Sequence, residues 1–322
     1  MSSARAGSRT LWKMPAAGGT PEPLTTGAGE DDEPELSRDG KRLLYSHVRN
    51  SWEMIVGTPD GASDRSLLEK RTEMLFPQFA PDGTRITFFG RNDRPIAIFT
   101  INTDGTGIRA LTGGTESNAM PRWSADGASI YFFQLSPELS FRRVPAVGGA
   151  STAVLPLKWE THNFPSFDPT GRLMAYTLNH PSSDSQTVVR DLTSDTERVI
   201  PGAALRYPRW SRDGRRLAGW LDDGTIALCD VAGSSCRGVT RGYLPAWSAD
   251  DSRLYFLRAA QTEPRALHEL WSVRPDGSDL LLHRRIGGFR TIDVFFDVSR
   301  QNELVWAAYR PGRRELWAAT VR

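Results

Sequence analysis

The sequence lacks any apolar run long enough to cross a membrane. None of its hydrophobic stretches approaches the roughly 20 residues that a spanning helix needs. It also lacks an excess of one charge, because the formal net charge is only +2 although 24% of its residues are charged. Nucleic-acid and membrane surfaces need clustered basic charge, so we expect neither as a partner.

Familiar catalytic motifs are absent as well. The sequence has no Gly-x-Ser-x-Gly elbow, no phosphate-binding Gly-rich loop ending in Lys-Ser/Thr, and no His-Glu-x-x-His. It has no Cys/His set at zinc spacing either. These absences favour a non-catalytic role and leave an unfamiliar enzyme as the alternative.

Cysteine is scarce. Cys229 and Cys236 are the only two, and they flank a predicted hairpin turn. Opposed residues of paired strands have Cβ atoms about 5 Å apart, close to disulfide distance. We weigh two interpretations: a cross-hairpin disulfide, which would indicate an oxidising compartment, and two unrelated small residues near a turn.

One short motif recurs along the chain. In PRWSADGASIYFF, residues 121–133, Trp123 ends one strand, Ser-Ala-Asp-Gly forms a turn, and an aromatic strand returns. Glycine reaches positive φ freely, and Asp can hydrogen-bond the backbone two residues on. The motif predicts a β-hairpin. Its copies begin at Pro34, Pro77, Pro121, Pro165, Pro208, Pro245 and, in degraded form, Val294.

The spacing of these copies predicts the fold. They lie 43, 44, 44, 43, 37 and 49 residues apart, and a strand-rich period of roughly 40–50 residues indicates a β-propeller with one blade per repeat. Two further strands around an Asp-Gly or Gly-Gly turn follow most hairpins, so each blade should have four antiparallel strands. We expect an all-β chain with a disordered leader at 1–8 and a single seven-bladed propeller at 9–322.

Both ends of the chain should close the ring. We expect 314–322 to form the third strand of the last blade and 22–26 its outer fourth strand, which would remove free sheet edges. Residues 11–14 resemble a third strand too and compete for the same place. They either pack outside the ring or are left over from a blade of a longer parent.

The repeat resembles a known family. Trp123-Ser-Ala-Asp-Gly and Trp210-Ser-Arg-Asp-Gly resemble the TolB-like, WD-related propeller repeat, over about 11–321. The resemblance implies the fold. It also implies a place among periplasmic scaffolds of the Tol–Pal type, propeller halves of prolyl-oligopeptidase-like enzymes, oligogalacturonate lyases and sensory tails of bacterial regulators. The chain departs from the motif at 169–171, 250–251 and in the last copy, where we expect less regular turns.

Topology predicts which face binds. Loops before each Pro and after each second strand share one face, the loop face, while the short Asp-Gly and Gly-Gly turns share the other, the turn face. Variable loops on a rigid scaffold usually carry binding. The residues where the second strand of a blade ends, which we call second-strand exits, lie on this face and include His47, His180, Asp222 and the insertion 258–268. The candidates at the channel mouth are Glu33, Glu116, Asn118, Glu160, His162, Asn163, Arg206, Tyr243, Arg290 and Asp293.

Residues just before the Pro are mostly apolar, which we interpret as blade-to-blade packing. Glu33 and Asp293 differ, because a carboxylate at such a position needs a partner. The acidic run 30–33 is either a solvated loop or a ligand set for a divalent cation. We therefore expect no cofactor, with a channel-bound cation as the alternative.

The leading hypothesis is a non-catalytic, monomeric scaffold that presents its loop face and central channel to a protein or peptide. A small ligand or oligosaccharide at the channel mouth is also compatible with this face. We expect a periplasmic or otherwise extracytoplasmic location, with a cytoplasmic one as the alternative.

Two other functions stay open. The first is a metal-assisted carbohydrate-active enzyme resembling oligogalacturonate lyases, using Glu160, His162, Arg206 and Tyr243. The second is the detached sensory domain of a larger bacterial regulator.

Overall fold

The computed structural model describes residues 2–3, 10–25, 29–70, 73–91, 95–156, 163–180, 183–202, 204–232, 235–260, 268–286 and 295–320. These residues form strands and turns and contain no helix, so none that could span a membrane. Most of the expected leader lies outside them. Ser2 and Ser3 form a short strand opposite Leu11 and Thr10.

Seven strands precede the regular part of the chain. They are β1 (Ser2–Ser3), β2 (Thr10–Lys13), β3 (Glu22–Pro23), β4 (Glu30–Leu36), β5 (Arg42–Val48), β6 (Ser51–Gly57) and β7 (Arg65–Lys70). The first three form a small antiparallel sheet of their own.

Five consecutive repeats then form five four-stranded antiparallel blades. Blade 1 comprises β8 (Met74–Phe79), β9 (Arg85–Arg91), β10 (Ile96–Asn102) and β11 (Arg109–Ala110). Blade 2 comprises β12 (Ser117–Trp123), β13 (Ser129–Ser136), β14 (Ser140–Pro145) and β15 (Thr152–Pro156). Blade 3 comprises β16 (Asn163–Phe167), β17 (Leu173–His180), β18 (Ser183–Asp191) and β19 (Thr196–Ile200). Blade 4 comprises β20 (Arg206–Trp210), β21 (Arg216–Trp220), β22 (Thr225–Asp230) and β23 (Cys236–Arg241). Blade 5 comprises β24 (Tyr243–Trp247), β25 (Leu254–Ala259), β26 (His268–Val273) and β27 (Leu281–Ile286).

The sixth blade joins the two ends of the chain. The last strands are β28 (Phe296–Val298), β29 (Leu304–Arg310) and β30 (Arg314–Thr320). The order in this blade is β28-β29-β6-β7, with Leu304 opposite Gly57 and Arg310 opposite Ser51. Its first strand lies between those of blades 5 and 1, so six blades complete a closed ring.

The expected count of seven blades is not confirmed. The copy at Pro34 lies outside the ring, in a three-stranded sheet of order β30-β5-β4. The closing blade takes β6 and β7 where we expected 314–322 and 22–26. The physical reason is that β6 pairs with β29 over seven residues and buries Met54 and Val56 completely.

Strand β2 packs outside the ring, which was one of the two expected alternatives for 11–14. Leu11 is fully buried and packs with Leu43 and Tyr45 of β5. A small hydrophobic core therefore holds the β1–β3 sheet to the three-stranded outer sheet.

The Ser-x-Asp-Gly motif forms its turns through side-chain hydrogen bonds. In blade 2 the Ser124 hydroxyl donates to Asp126 (2.6 Å), and the same carboxylate accepts the backbone N–H of Ala128 (2.9 Å). Gly127 follows at φ 68°, in the left-handed region that favours glycine. The hydrogen bond from Ser124 lowers the pKa of the Asp126 carboxyl. The predicted bond from Asp to the backbone two residues on is confirmed here.

The two copies without glycine keep the turn but lengthen its bond. Asp251 (φ 58°) and Asn302 (φ 60°) take the glycine position, and their turn bonds measure 3.3 and 3.2 Å, against 3.0 Å at Gly127. Their side chains also accept hydrogen bonds from backbone N–H groups of the preceding blade. Asp251 accepts the backbone N–H of Arg212 (2.8 Å), and Asn302 accepts that of Ala249 (2.8 Å).

A β-bulge recurs just before each motif proline. In blade 1 the register jumps from Leu75↔Phe89 to Gln78↔Thr87, so Phe76 and Pro77 oppose a single residue. Phe76 has φ 54°, a conformation that is rare for a bulky residue. A bulge re-aims the side chain at its position. The same positive φ occurs at Glu33, Met120, Tyr207 and Leu244.

Tryptophan side chains join neighbouring blades at the ring centre. The indole N–H of Trp123 donates to the carbonyl of Gln78 in the preceding blade (3.2 Å). Trp210 donates likewise to Ser166 (3.1 Å), and Trp247 donates to Arg209 (3.1 Å). All three rings are at least nine-tenths buried. The motif tryptophans are core residues, and they also fix the spacing of adjacent first strands.

We predict that Trp210→Phe lowers the free energy of unfolding by about 1–3 kcal/mol, because the buried Ser166 carbonyl loses its donor. Trp317→Phe is the matched control, since its indole N–H donates to the exposed carboxylate of Glu315 in the outer sheet. Urea denaturation measures both. Equal losses for the two variants would refute the inter-blade role of Trp210.

Candidate ligand-binding groove on the loop face

Aromatic side chains close the centre of the ring toward the loop face. Phe76 stacks on Phe295 with ring centroids 3.4 Å apart, and Tyr207 lies 5.3 Å from Phe295 and 6.4 Å from Phe76. Phe76 and Tyr207 are the bulged, positive-φ residues of blades 1 and 4. Burial raises the pKa of the Tyr207 hydroxyl. The pre-proline side chains therefore pack across the channel as well as between blades.

An open groove of about 630 Å³ lies on the loop face between blades 4 and 5. It is formed where first strands begin and second strands end, as the predicted topology requires. Arg206, at the start of β20, pairs with Asp222, and both side chains are exposed. The other lining residues are Trp220, Leu221, Gly224, Arg241, Gly242, Tyr243, Arg258 and Ala259.

Arg258 forms a fixed cationic wall of this groove. Its guanidinium lies 4.7 Å from the ring centroid of Trp271, a distance typical of cation–π contacts. Its Nε–H donates to the carbonyl of Arg241 (2.8 Å), and a terminal N–H donates to the hydroxyl of Thr240 (2.8 Å). Because these contacts orient the side chain beforehand, it loses little entropy when it meets a ligand.

Tyr243 and His268 form a polar pair in blade 5, where Tyr243 lines the groove. The tyrosine hydroxyl hydrogen-bonds Nδ1 of the imidazole, and His268 is only 6% exposed. Burial raises the pKa of Tyr243 and lowers that of His268. At neutral pH the pair therefore holds a protonated phenol and an uncharged imidazole.

The structure brings Arg206 and Tyr243 of the ten candidates into this groove. Asn118 is fully buried in blade 2 and donates to the carbonyl of the half-buried Glu116 (3.4 Å). Glu33 lies in the outer sheet, where Arg314 (2.6 Å) is its ion-pair partner. Asn163 begins β16. Glu160, His162, Arg290 and Asp293 lie outside the described residues, so their roles stay predictions.

Sequence reasoning missed Trp220 and Arg241, and it took Arg258 and Asp222 only as second-strand exits. A signal was present, because Trp220 ends a second strand and Arg241 ends a fourth strand. Strand ends from two adjacent blades meet on one face of a propeller, which the sequence order alone could have indicated.

The acidic run of β4 already has protein partners. Asp31 lies 2.5 Å from Nδ1 of His47, and both side chains are buried. Within the described ranges, no group of three or more His, Cys, Asp or Glu side chains is arranged to hold a metal. The alternative of a channel-bound cation stays a prediction.

Blade 4 contains a disulfide. Cys229 and Cys236 lie directly opposite each other on β22 and β23, with Cα atoms 4.0 Å apart, and their sulfurs are bonded. Cys229 is fully buried. The bond therefore links the third and fourth strands of a blade that borders the groove.

The comparisons with known proteins agree with the fold. No family model matches the chain. An uncharacterised protein of Agrobacterium fabrum is 24% identical in a 142-residue match that covers 39% of this chain and 47% of that protein, so the chain spans about half of the curated relative it matches. A structure from Agrobacterium tumefaciens assigned as TolB is 18% identical with a TM-score of 0.66, covering 82% of this chain and 99% of that one.

Two further solved structures are similar. TolB from Acinetobacter baumannii is 14% identical with a TM-score of 0.60, over 84% of this chain and 66% of its own. An oligogalacturonate lyase in complex with manganese is 13% identical with a TM-score of 0.52, over 85% of each chain. Identities this low establish the fold alone, which is that of a TolB-like β-propeller.

We predict that the chain loses stability as the pH falls below about 6.5. Burial lowers the folded-state pKa of His268 and His283, whereas an unfolded histidine titrates near 6.5. Below that pH the unfolded state binds protons that the folded state does not, which favours unfolding. We expect the urea concentration at the unfolding midpoint to fall between pH 7.5 and pH 5.5, and to fall less in His268→Asn than in the wild type. An equal fall of the midpoint in the wild type and in His268→Asn would contradict this prediction.

Proposed function

We propose that the chain is a non-catalytic binding module that holds a protein or peptide segment in the groove between blades 4 and 5. The observation that carries this proposal is the convergence of three arginines and two aromatic rings in one open groove. Arg, Tyr and Trp are the residue types that contribute most binding energy at protein interfaces. The likeness to TolB structures supports a scaffold of this class.

The charge of the groove defines the segment that fits. Among the described lining residues, Arg206, Arg241 and Arg258 face one carboxylate, that of Asp222, so the lining carries a net charge of +2. Half-buried Trp220 and Tyr243 supply apolar surface beside these guanidiniums. An acidic segment that carries an aromatic side chain would complement both properties.

We further propose that the chain works as a monomer in an extracytoplasmic compartment. Its disulfide supports the compartment, because such bonds persist in oxidising environments. The likeness to TolB is consistent with this location. The hypothesis of a detached sensory domain stays a prediction.

The test uses fluorescence anisotropy with two labelled peptides, one rich in Asp, Glu and Trp and one in which Lys replaces the acids. We expect the acidic peptide to bind and the basic peptide not to bind. The double variant Arg206→Glu/Arg241→Glu should weaken binding at least about tenfold, which corresponds to about 1.4 kcal/mol. The double variant Arg38→Glu/Arg42→Glu makes the same charge change in the exposed outer sheet and should bind normally.

Either of two results would refute this site. One is equal weakening by both double variants, which would indicate long-range charge alone. The other is unchanged binding by the groove variant, which would place the peptide elsewhere.

One specific observation favours the lyase hypothesis. Of the four site residues that it expects, Arg206 and Tyr243 line the same groove. The protonated phenol of the Tyr243–His268 pair argues against a lyase, because a tyrosine with a raised pKa is a poor general base at neutral pH. Incubation with oligogalacturonides, with and without Mn²⁺, should release no unsaturated uronate. Release that Tyr243→Phe abolishes would support the lyase instead.

A further inference from the structure

We propose that the cavity at the centre of the ring, which opens on the turn face, binds a small oxyanion bearing a carboxylate or phosphate group. This site lies on the opposite face from the groove. It goes beyond the proposed function and involves none of the groove residues.

One equivalent position of each blade is among the residues that line the cavity. It stands between the motif proline and the motif aromatic residue, or at the equivalent place in the last copy. In ring order these residues are Gln78, Arg122, Ser166, Arg209, Ala246 and Asp297. Two of them, Ser166 and Ala246, have short side chains, and this leaves a volume of about 140 Å³. A volume of that size holds a small ion and a few waters.

The charges around the cavity are unbalanced. Arg122 and Arg209 line its interior, and the exposed Arg212 and Arg300 line its rim. In the part of the lining that the structure describes, the carboxylates are those of Asp168 and Asp297, which leaves a net charge of +2.

Both carboxylates already serve the fold. Asp297 pairs with Arg209 (3.1 Å), and its second oxygen accepts the backbone N–H of Phe79 (3.0 Å). Asp168 accepts the backbone N–H of Leu173 (2.7 Å) in its own turn. Asp297 also acts at longer range on Arg122 and Arg212, and within the described lining these two carboxylates are outnumbered by four arginines.

Arg122 is a buried cation that forms no ion pair with a described residue. Its side chain is 4% exposed, and its hydrogen bond is a long one (3.4 Å) to the carbonyl of Pro121. No acidic side chain of the described residues lies within ion-pair distance of it. Burial lowers its pKa to about 9, so it still carries its charge at neutral pH. Buried charges are normally paired, and this one lines an open cavity.

The donors around the cavity suit an oxyanion. A guanidinium presents its N–H groups in a planar fork that matches carboxylate or phosphate oxygens. The buried Ser166 hydroxyl has no hydrogen-bond partner among the described residues and is a further donor. The aromatic cluster of Phe76, Tyr207 and Phe295 closes the loop-face side, so the ligand enters from the turn face.

Calorimetric titration in low-salt buffer tests the site with inorganic phosphate, acetate and, as a halide control, chloride. Two acetylated Gly-Gly peptides, one with a free carboxylate and one amidated, distinguish a free ion from a chain end. We expect phosphate or acetate to bind more tightly than chloride. Binding of the free-acid peptide, but not of its amide, at an affinity above that of acetate would identify a chain end as the source.

Variants locate the binding. Arg122→Gln should weaken oxyanion binding at least about tenfold, and Asp297→Asn should strengthen it about threefold or more by removing an opposing charge. Arg172→Gln, on an exposed turn-face pair with Asp191, should leave the affinity unchanged. Without anion, Arg122→Gln should keep or raise the urea midpoint, because the wild type buries an unpaired charge.

Three outcomes would overturn the proposal. The first is no oxyanion binding above that of chloride. The second is wild-type affinity in Arg122→Gln. The third is weaker binding in Asp297→Asn, which remains informative if Arg122→Gln does not fold. All of these readouts are independent of the peptide experiment on the groove.

Discussion

The hydrogen bond from a motif tryptophan to the first strand of the preceding blade is the interaction on which the rest of the ring depends. Trp123, Trp210 and Trp247 each donate to a carbonyl of the neighbouring blade. Because each accepting carbonyl belongs to a cavity-lining residue, the same bond that spaces two blades also places a side chain at the ring centre. At three of the six blade junctions, one repeated contact therefore sets both the blade packing and the cavity geometry.

The centre of the ring separates two chemical environments. Toward the loop face, bulged pre-proline residues such as Phe76 and Tyr207 meet across the channel. Toward the turn face, the position two residues further along the strand carries a polar side chain in five of the six blades, including Arg122 and Asp297. The alternation of side chains along a strand and the bulge together produce this division. A ligand on one face is consequently separated from a ligand on the other by packed rings.

The sequence was sufficient for the hairpins, the turn bonds and the propeller fold, because these follow from local signals repeated in each copy. It could not decide how the ring closes. Strands β5 and β6 are two residues apart, as in a hairpin, yet β6 pairs with β29, and only non-local packing decides between these partners. The loop face was predicted from topology, and it brought Arg206 and Tyr243 together. The cavity arginines were missed. A signal was present in the sequence, because the residue type at their position differs from copy to copy while the motif residues on either side recur.

The closure of the ring is tested most directly by disulfide trapping. Ala307 and Met54 lie directly opposite each other on β29 and β6 of the sixth blade. The Cα atoms of such paired residues are close enough for a disulfide. In a seven-bladed ring with a two-residue β5–β6 hairpin, Met54 would instead face Tyr45. We expect Ala307→Cys/Met54→Cys to oxidise to a cross-linked protein and Tyr45→Cys/Met54→Cys to stay reduced. The reverse result would contradict the six-bladed ring.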